Sequence, residues 1–411
     1  MSVWFFTTEL QNDRASSFRQ SRWCNIFLEE SVDVRIFNLH GAFSMIDKTF
    51  KNKNEFENFR KVELDKNTSV GSVRQGFFSK IARRIKHLFL LDLFYPNVFK
   101  LFVVTYFEIK KSNEVVKIIA SSPPFSVVVV GMILKKFFKN KILFTIDMRD
   151  AWALHDSLGG IRFIKKYIEK NAMVSADYTI TVSNWLAKEF SNTYGINTLT
   201  IYNVATHYLN VPIPEKVDLC TYSKSLNRFS KKIIYTGSTP EGFYDVYNIM
   251  LAIKEVSDKF TNFSDKIQFV FVGNCEETRI AANKLNLEKE VVFLNHVPQI
   301  EVRKIQSSAD CLLFLGYNGF ENKGVVSTKL FEYLFLNKCV LPFTIKENSD
   351  VDIIFSTLCN KNIRLNELEE MKNFIESLFI DLDFENKTLK LKDIEKAKLL
   401  IEEYRKFARN Y

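Results

Sequence analysis

Short apolar runs alternate with segments of helical periodicity along most of the chain. A run of about four to eight apolar residues predicts a buried strand, and apolar residues spaced three and four apart predict a helix that packs on a sheet. This alternation is typical of βαβ units with parallel sheets. In the first half the predicted strands are Val3–Thr7, Val34–Asn38, Val116–Ala120, Ile142–Ile146, Tyr178–Val182 and Leu199–Tyr202, with a helix at Ser17–Glu30.

A second series of the same kind begins near residue 231, after a polar segment that Pro212 and Pro214 interrupt. Its predicted strands are Lys232–Tyr235, Gln268–Val272, Val291–Leu294, Cys311–Leu315 and Val340–Phe343, with helices near 246–256, at Glu301–Gln306 and at Thr328–Phe335. The pattern therefore predicts an α/β protein with two doubly wound, Rossmann-like domains that face a central cleft. We expect an N-terminal domain at 1–206, a linker at 207–230, a C-terminal domain at 231–385 and a final helix at 386–411 that returns to the N-terminal domain.

The composition is that of a globular protein, because 46% of the 411 residues are hydrophobic and 26% are charged. Six cysteines lie far apart without a Cys-x-x-Cys pair, which predicts reduced thiols in a cytoplasmic protein. The sequence starts directly with apolar residues, so we expect no secretion signal. The most apolar stretch, Leu88–Phe107, contains Asp92, Pro96 and Lys100, so we expect it to form soluble core or to lie at a membrane surface and not to span a membrane.

The net charge of +9 indicates a surface that attracts anions. Segment Arg74–Lys86 combines Arg83, Arg84 and Lys86 with aromatic residues, which predicts a basic amphipathic helix. Such a helix is suited to the anionic inner face of the cytoplasmic membrane, although an ordinary solvated surface explains the charges equally well. No nucleic-acid-binding motif accompanies the segment, so we expect no nucleic-acid partner.

Charged residues follow the strand that ends near Ile146. Asp147, Arg149 and Asp150 lie at its carboxyl end beside Trp152, where ligands of open parallel sheets bind. The alternative is an Arg–Asp pair that only fixes a loop. Asp150 is the preferred catalytic carboxylate because it lies beyond the end of the strand.

Glycine turns follow two successive strands of the second series, at Gly237-Ser238 and at Gly273-Asn274. Such turns leave backbone N–H groups facing a phosphate, although most glycine turns have no ligand. The segment Ser327–Leu334 predicts a helix that starts with a cap at Ser327 or Thr328. Lys329 in its first turn suits a diphosphate and Glu332 suits a ribose hydroxyl. A surface Lys–Glu pair is the alternative.

Together, eight short motifs in this order resemble glycosyltransferase family 4, over roughly residues 1–345. They are Ser121-Ser-Pro-Pro, Asp147-Met-Arg-Asp-Ala-Trp152, Thr181-Val-Ser183, Tyr235-Thr-Gly-Ser238, Phe271-Val-Gly273, His296-Val-Pro298, Ala309-Asp310 and Ser327-Thr-Lys-Leu-Phe-Glu-Tyr333. The resemblance implies the GT-B fold, transfer with retention of configuration, and a role in bacterial surface polysaccharides such as capsule or O-antigen.

The resemblance also implies roles for individual residues. Glu332 matches the second Glu of the family's Glu-x7-Glu motif, which binds the donor ribose, while Gly324 replaces the first Glu. Glu321, or the backbone amides of Gly324 and Val325, would substitute for it. Phe243-Tyr244 stands where the family often has a basic residue, so Lys329 carries more of the diphosphate's charge. The implied donor site comprises Gly237, Ser238, Gly273, Asn274, His296, Val297, Glu321, Gly324, Val325, Ser327, Thr328 and Glu332.

The N-terminal domain holds the acceptor in this family, with Arg19 and Trp152 as candidate acceptor-binding residues. Asp150, Arg149 and Lys329 are the predicted catalytic residues. We expect a metal-independent hexosyltransferase with no cofactor that uses a nucleotide sugar and a saccharide or polyprenyl-linked acceptor. Two alternatives remain: a nucleotide-sugar-binding partner protein without catalysis, suggested by Gly324, and a sugar-nucleotide epimerase of the same fold.

Overall fold

A computed structural model describes residues 2–8, 10, 15–40, 44–68, 97–153, 161–204, 212–318, 324–392 and 394–411. The chain divides into two compact units. Unit 1 comprises Met1–Val204 and Leu400–Tyr411, and unit 2 comprises Ala205–Leu399. Each unit contains one sheet of mainly parallel strands covered by helices, so the predicted α/β class with two Rossmann-like domains is confirmed.

Unit 1 contains a seven-stranded sheet in the order β3-β2-β1-β4-β5-β6-β7. All neighbouring strands are parallel except β2 and β3, which form an antiparallel pair at one edge. The strands are β1 (Ser2–Thr7), β2 (Asp33–His40), β3 (Ser44–Phe50), β4 (Val116–Ser122), β5 (Ile142–Met148), β6 (Tyr178–Thr181) and β7 (Leu199–Thr200).

The helices of unit 1 place apolar faces on both sides of this sheet. Apolar residues of β1 pack into both layers, because successive side chains of a strand point to opposite faces. The helices are α1 (Ala15–Glu29), α2 (Lys53–Thr68), α3 (Val98–Lys111), α4 (Ser126–Phe138), α5 (Arg162–Ser175) and α6 (Asn184–Tyr194).

Unit 2 contains a five-stranded, fully parallel sheet in the order β10-β9-β8-β11-β12. Its strands are β8 (Lys231–Thr236), β9 (Ile267–Val272), β10 (Val291–Leu294), β11 (Cys311–Leu315) and β12 (Cys339–Phe343). Its helices are α7 (Val246–Lys259), α8 (Phe263–Lys266), α9 (Glu276–Lys284), α10 (Gln299–Ser308), α11 (Thr328–Phe335), α12 (Asp350–Leu358), α13 (Leu368–Asp381) and α14 (Phe384–Lys387).

The last helix, α15 (Ile394–Asn410), contributes its second half to unit 1. There Tyr404 lies against Trp23 of α1, with ring centroids 4.5 Å apart, and donates a hydrogen bond to the carbonyl of Tyr202. Tyr411 donates to the carbonyl of Ile118 in β4. The aromatic end of the chain therefore belongs to the core of the first sheet.

Residues 212–230, which fall in the predicted linker, fold onto unit 2. Leu219 and Leu226 are buried, and the amide of Asn227 donates to the side chain of Gln268 in β9. Segment Arg74–Lys86 and Glu321 lie outside the described residues. Among the helices that the structure describes, none is both long and apolar enough to cross a membrane.

Candidate functional site

The carboxyl ends of the strands in unit 2 bring four loops side by side. Because β10, β9, β8 and β11 are neighbours in a parallel sheet, the segments that follow Leu294, Val272, Thr236 and Leu315 leave the same edge. Helix α11 starts at this edge as well, with Ser327 as its cap, and the Ser327 side chain accepts a hydrogen bond from the amide of Lys329.

Lys329 contacts two of the segments that meet at this edge. Its ammonium donates a 2.9 Å hydrogen bond to the hydroxyl of Tyr235 and lies 4.5 Å from the centroid of that ring. The ammonium also occupies the space beside Gly237, where an added Cβ would overlap it. The Tyr235 hydroxyl in turn donates to the carbonyl of Ser238 at 2.8 Å. Lys329 is therefore fixed over the first glycine turn.

The backbone amides of the two turn glycines form hydrogen bonds inside the fold. The amide of Gly237 donates to the carbonyl of Val272, and the amide of Gly273 donates to the carbonyl of Leu294. Both glycine N–H groups are therefore used within the fold, which corrects the expectation that they face a phosphate. The glycines are needed because their φ angles are +134° and +116° and because a Cβ at Gly273 would meet the carbonyl of Gly237.

Burial changes the ionisation of Lys329. Removal from water lowers the pKa of Lys329 to about 8, although the carboxylate of Glu332 and the Cys275 thiol act in the opposite direction. The side chain is half-buried and keeps access to solvent. Near neutral pH it is thus a charged ammonium that can exchange part of its solvation for a phosphate.

Glu332 lies three residues after Lys329, about one helical turn further along α11, and is also half-buried. Burial raises the pKa of its carboxyl, while Lys329 and hydrogen bonds from Gln306 and Thr328 lower it. Gln306 also donates to the hydroxyl of Thr236 at the end of β8. The carboxylate is therefore held at the same edge as the ammonium, where it acts as a hydrogen-bond acceptor.

The other predicted donor residues lie at the same edge with different degrees of exposure. Ser238, Asn274 and His296 are exposed, and Val297 is half-buried in the loop after β10. In the segment before α11, Gly324 is buried, whereas Val325, Ser327 and Thr328 are half-buried. Lys329 comes close to the Gly237 turn, and Asn274 accepts a hydrogen bond from the amide of Thr239.

An aromatic wall at this edge was missed by the sequence analysis. Tyr244 stacks on Tyr317 with ring centroids 5.0 Å apart, and the ring of Tyr235 lies 6.4 Å from that of Tyr244. Tyr235 and Tyr317 each end or follow an apolar strand, and apolar strands normally end in core residues. The signal that the sequence offers is a tyrosine next to the end of the apolar strand β8, but its partner Lys329 lies in α11 and not in the helix that follows this strand.

In unit 1, Asp147 and Arg19 form a buried ion pair. The Arg19 guanidinium donates to the Asp147 carboxylate at 2.6 Å, and both side chains have no exposed surface. Arg19 also donates to the carbonyl of Ile201 and to the hydroxyl of Tyr404. The expectation that Arg19 binds an acceptor is therefore corrected, because this side chain joins α1, β5 and α15 inside the core.

The rest of the Asp147–Trp152 motif forms a packed loop. Arg149 donates to the carbonyls of Ser122 and Pro123, so it fixes the exit of β4. Trp152 is buried and stacks on Phe125 with an angle of 3° between the rings, which gives it a packing role instead of the predicted acceptor contact. Asp150 is exposed at the carboxyl end of β5, where the prediction placed it.

Glu169 of α5 is a further residue that the sequence did not reveal. It is fully buried, accepts a hydrogen bond from the amide of Ala153 at 3.1 Å and accepts another from the Tyr194 hydroxyl at 2.7 Å. Burial raises the pKa of its carboxyl to about 7, against the opposing effects of these hydrogen bonds and of Lys165. Glu169 thus holds the loop that contains Asp150.

Within the described ranges, no group of three or more His, Cys, Asp and Glu side chains is arranged to hold a metal ion.

No protein-family model matches the sequence, and no curated protein matches it significantly. Solved structures match over nearly the full chain. WaaG, described as a glycosyltransferase involved in lipopolysaccharide biosynthesis, is 10% identical with a TM-score of 0.54, over 100% of this chain and 95% of that chain. A UDP-forming alpha,alpha-trehalose-phosphate synthase from Burkholderia vietnamiensis is 7% identical with a TM-score of 0.57, over 100% and 96%.

The chain has the GT-B fold. A third structure of similar shape, the co-structure of S. aureus MnaA with UDP, is 11% identical with a TM-score of 0.51 and covers 94% of this chain and 90% of that chain. Identities this low show a shared GT-B fold and leave the chemistry to be argued from the residues of this chain.

Proposed function

We propose that this protein is a retaining glycosyltransferase that moves a hexose from a nucleotide sugar to a hydroxyl of a saccharide or lipid-linked saccharide. The observation that carries the proposal is the position of the Lys329 ammonium over Gly237, with Glu332 on the same helix. A diphosphate placed at this edge meets a fixed cation at the start of α11. A ribose one turn further along the helix meets a carboxylate acceptor.

The charge of the leaving group is the main demand on such a site. Cleavage of the sugar–phosphate bond develops negative charge on the diphosphate, and a cation fixed before the reaction stabilises that charge without further reorganisation. Lys329 meets this demand because Tyr235 and the absence of a side chain at Gly237 fix its position. The first turn of α11 adds the positive end of a helix dipole.

Asp150 is the proposed polar catalyst on the acceptor side. It lies at the carboxyl end of β5, on a loop that Arg149 and Glu169 fix by hydrogen bonds to backbone groups. An exposed carboxylate there would orient the attacking hydroxyl and stabilise positive charge on the sugar ring. With retention of configuration, the leaving phosphate would take the proton of the attacking hydroxyl. We propose surface-polysaccharide synthesis as the biological role.

A binding protein without catalysis is the second candidate, and one observation favours it. Gly324, which has no side-chain carboxylate, stands at the position of the donor-sugar Glu of the family that the sequence resembles. Lys329 and Glu332 would then bind a nucleotide sugar that nothing cleaves. Affinity for the donor without hydrolysis or transfer distinguishes this function from the proposed one.

The test is a thermal-shift screen with UDP-, GDP- and ADP-sugars, followed by proton NMR of the best ligand with the protein. We expect one class of nucleotide sugar to raise the melting temperature. We then expect the protein to hydrolyse this sugar slowly, with water in place of the acceptor, and to release the nucleoside diphosphate. Stabilisation without release would support the binding protein. Appearance of an epimeric nucleotide sugar would instead identify an epimerase. No stabilisation by any of them would contradict every one of these functions.

A further inference from the structure

Three neighbouring helices of unit 1 expose large aromatic side chains to solvent. Helix α4 contacts both α3 and α5, so the outer sides of the three helices form one continuous surface, which we call the helical face. Its exposed aromatic residues are Phe99 and Phe107 of α3, Phe137 of α4, and Phe163 and Tyr167 of α5, with exposed fractions of 54–78%. Scattered single apolar residues are normal on a surface, but five aromatic rings on three adjacent helices are not.

The rings on α3 and α4 form one cluster. Tyr106 lies 5.6 Å from Phe107 and 5.9 Å from Phe137 between ring centroids, and Phe102 lies 6.3 Å from Phe137. The half-buried rings thus support the exposed ones from below. The exposed rings are held at the surface by packing and do not fold back into the core.

Lysines surround these rings. The Lys141 ammonium donates to the carbonyl of Lys110, which places the ends of α3 and α4 next to each other. The lysines of the helical face are Lys100, Lys110, Lys111, Lys136, Lys139, Lys141, Lys166 and Lys170, of which Lys141 and Lys166 are half-buried and the others exposed. Lysines near the C-terminal end of a helix interact favourably with the helix dipole. This effect explains neither the exposed rings nor Lys100, which lies in the first turn of α3.

Acidic residues on the same helices do not balance these lysines. Glu108 of α3 forms an ion pair with Arg35 at 3.2 Å, and Glu169 of α5 is buried. Glu114, in the turn after α3, is an exposed carboxylate near the end of this surface. Lys135 of α4 forms an ion pair with Asp177 and is not counted among the lysines of the face. The helical face is therefore strongly cationic.

We propose that the helical face docks on a membrane surface rich in anionic lipid head groups. Helices of about 14 residues are roughly 21 Å long, and three of them side by side, at about 10 Å spacing, form a broad face suited to a planar partner. Aromatic rings insert at the level of the head groups, and the lysines around them bind the lipid phosphates.

The helical face belongs to unit 1, whereas the proposed donor site belongs to unit 2. Docking by the helical face needs neither turnover nor a nucleotide sugar, so it can be measured whether or not the protein is a glycosyltransferase. The combination of rings and lysines favours a membrane over an acidic protein, because a protein partner would need a complementary pocket for each ring.

The experiment is flotation of the full-length protein with vesicles of phosphatidylcholine that contain 30% phosphatidylglycerol, beside vesicles of phosphatidylcholine alone. We expect binding to the anionic vesicles in 50 mM salt and at least fivefold weaker binding in 500 mM salt. The triple variant K111Q/K136Q/K139Q should lower the partition coefficient at least tenfold. The matched control K224Q/K284Q/K289Q, with three exposed lysines of unit 2, should bind like the wild type.

A second pair of variants tests the rings. F107A/F137A should weaken vesicle binding at least threefold, whereas F229A, which removes a phenylalanine of unit 2 with an exposed fraction of 91%, should not. Circular dichroism and melting curves of each variant identify any loss of fold. Equal loss of binding in the two triple-lysine variants would overturn the proposal, since the total charge of the protein would then explain vesicle binding. Binding to RNA homopolymers but not to vesicles would also overturn it.

Discussion

The ammonium of Lys329 occupies the space that a side chain at residue 237 would need. This contact joins a helix of unit 2 to a turn that precedes it by about ninety residues in the chain. It explains why Gly stands at this position, since the φ angle of +134° and the lysine both exclude a Cβ. A charge fixed at the edge of a parallel sheet is the main feature of the proposed donor site.

The first prediction concerns this contact. Gly237→Ala should displace the Lys329 ammonium and weaken nucleoside diphosphate binding at least tenfold, as measured by isothermal titration calorimetry. Gly242→Ala is the matched control, because Gly242 also has a positive φ, +76°, but no heavy atom lies within 4 Å of its added Cβ. Both variants should lose some stability through backbone strain. Equal affinities of the two variants would show that the position of Lys329 does not contribute to nucleoside diphosphate binding.

A second prediction tests the charge state of Lys329. Because burial lowers the pKa of Lys329 to about 8, the side chain loses its proton and its positive charge as the pH rises through 8. Affinity for a nucleoside diphosphate should therefore decrease between about pH 8 and pH 10, with a midpoint above 8 because the bound anion favours the charged form. Lys329→Met should bind at least tenfold more weakly at pH 7 and should show a flat profile in this range. A wild-type profile that is equally flat would count against the role of Lys329.

The third prediction follows from Glu169. Its pKa is raised from 4.5 to about 7 in the folded state, so between these values the native protein binds a proton that the unfolded chain has lost. Stability should therefore fall as the pH rises from 4.5 to 7, by at most about 3 kcal/mol, and should level off above 7. Urea unfolding of Glu169→Gln should lack this slope. A wild-type slope identical to that of the variant would show that Glu169 titrates normally.

Most strands of the fold were predictable from the sequence because they are buried on both faces and therefore uniformly apolar. Val291–Leu294 and Cys311–Leu315 have the predicted bounds. The edge strand β3 was missed, because it contains Asp47, Lys48 and Thr49, as expected for a strand with one exposed side. Helix α2 was missed for the same reason, since most of its positions are polar.

The sites were less predictable than the strands. The position of Lys329 at a helix start followed from the strand–helix pattern and from the family resemblance. Its contact with Tyr235, however, joins residues 94 positions apart. The position of Asp150 beyond the end of the strand was predictable, but the ion pair of Arg19 with Asp147 spans 128 positions, and no local pattern indicated that these two side chains would meet in the core. Such contacts depend on how strands are ordered in the sheet.

A fourth prediction concerns that buried ion pair. Arg19→Met should leave the Asp147 carboxylate buried without its cation and should lower the free energy of unfolding by about 3–5 kcal/mol. The control is Lys254→Met, which breaks the more exposed pair of Lys254 with Asp258 on α7 and should cost at most about 1 kcal/mol. Chemical denaturation measures both. A cost for Arg19→Met as small as that of the control would contradict a structural role for Arg19.

The fifth prediction separates the acceptor side from the donor side. Asp150→Asn should reduce turnover about 10²-fold or more, the scale expected for the loss of a positioned polar catalyst. Donor affinity should stay within about threefold, because the proposed donor contacts lie in unit 2. If the melting temperature and the donor affinity fall together with turnover, Asp150 is a structural residue of its loop.

The most direct test of the account is turnover and binding of a nucleotide sugar by Glu332→Gln beside Glu301→Gln. Glu301 also lies three residues from a lysine on a helix, with an ion pair of 2.8 Å to Lys304, so it provides a surface pair of the same spacing. We predict that Glu332→Gln weakens donor binding or turnover at least tenfold at nearly constant melting temperature, whereas Glu301→Gln matches the wild type. Unchanged kinetics in Glu332→Gln would show that Lys329 and Glu332 are not a donor site.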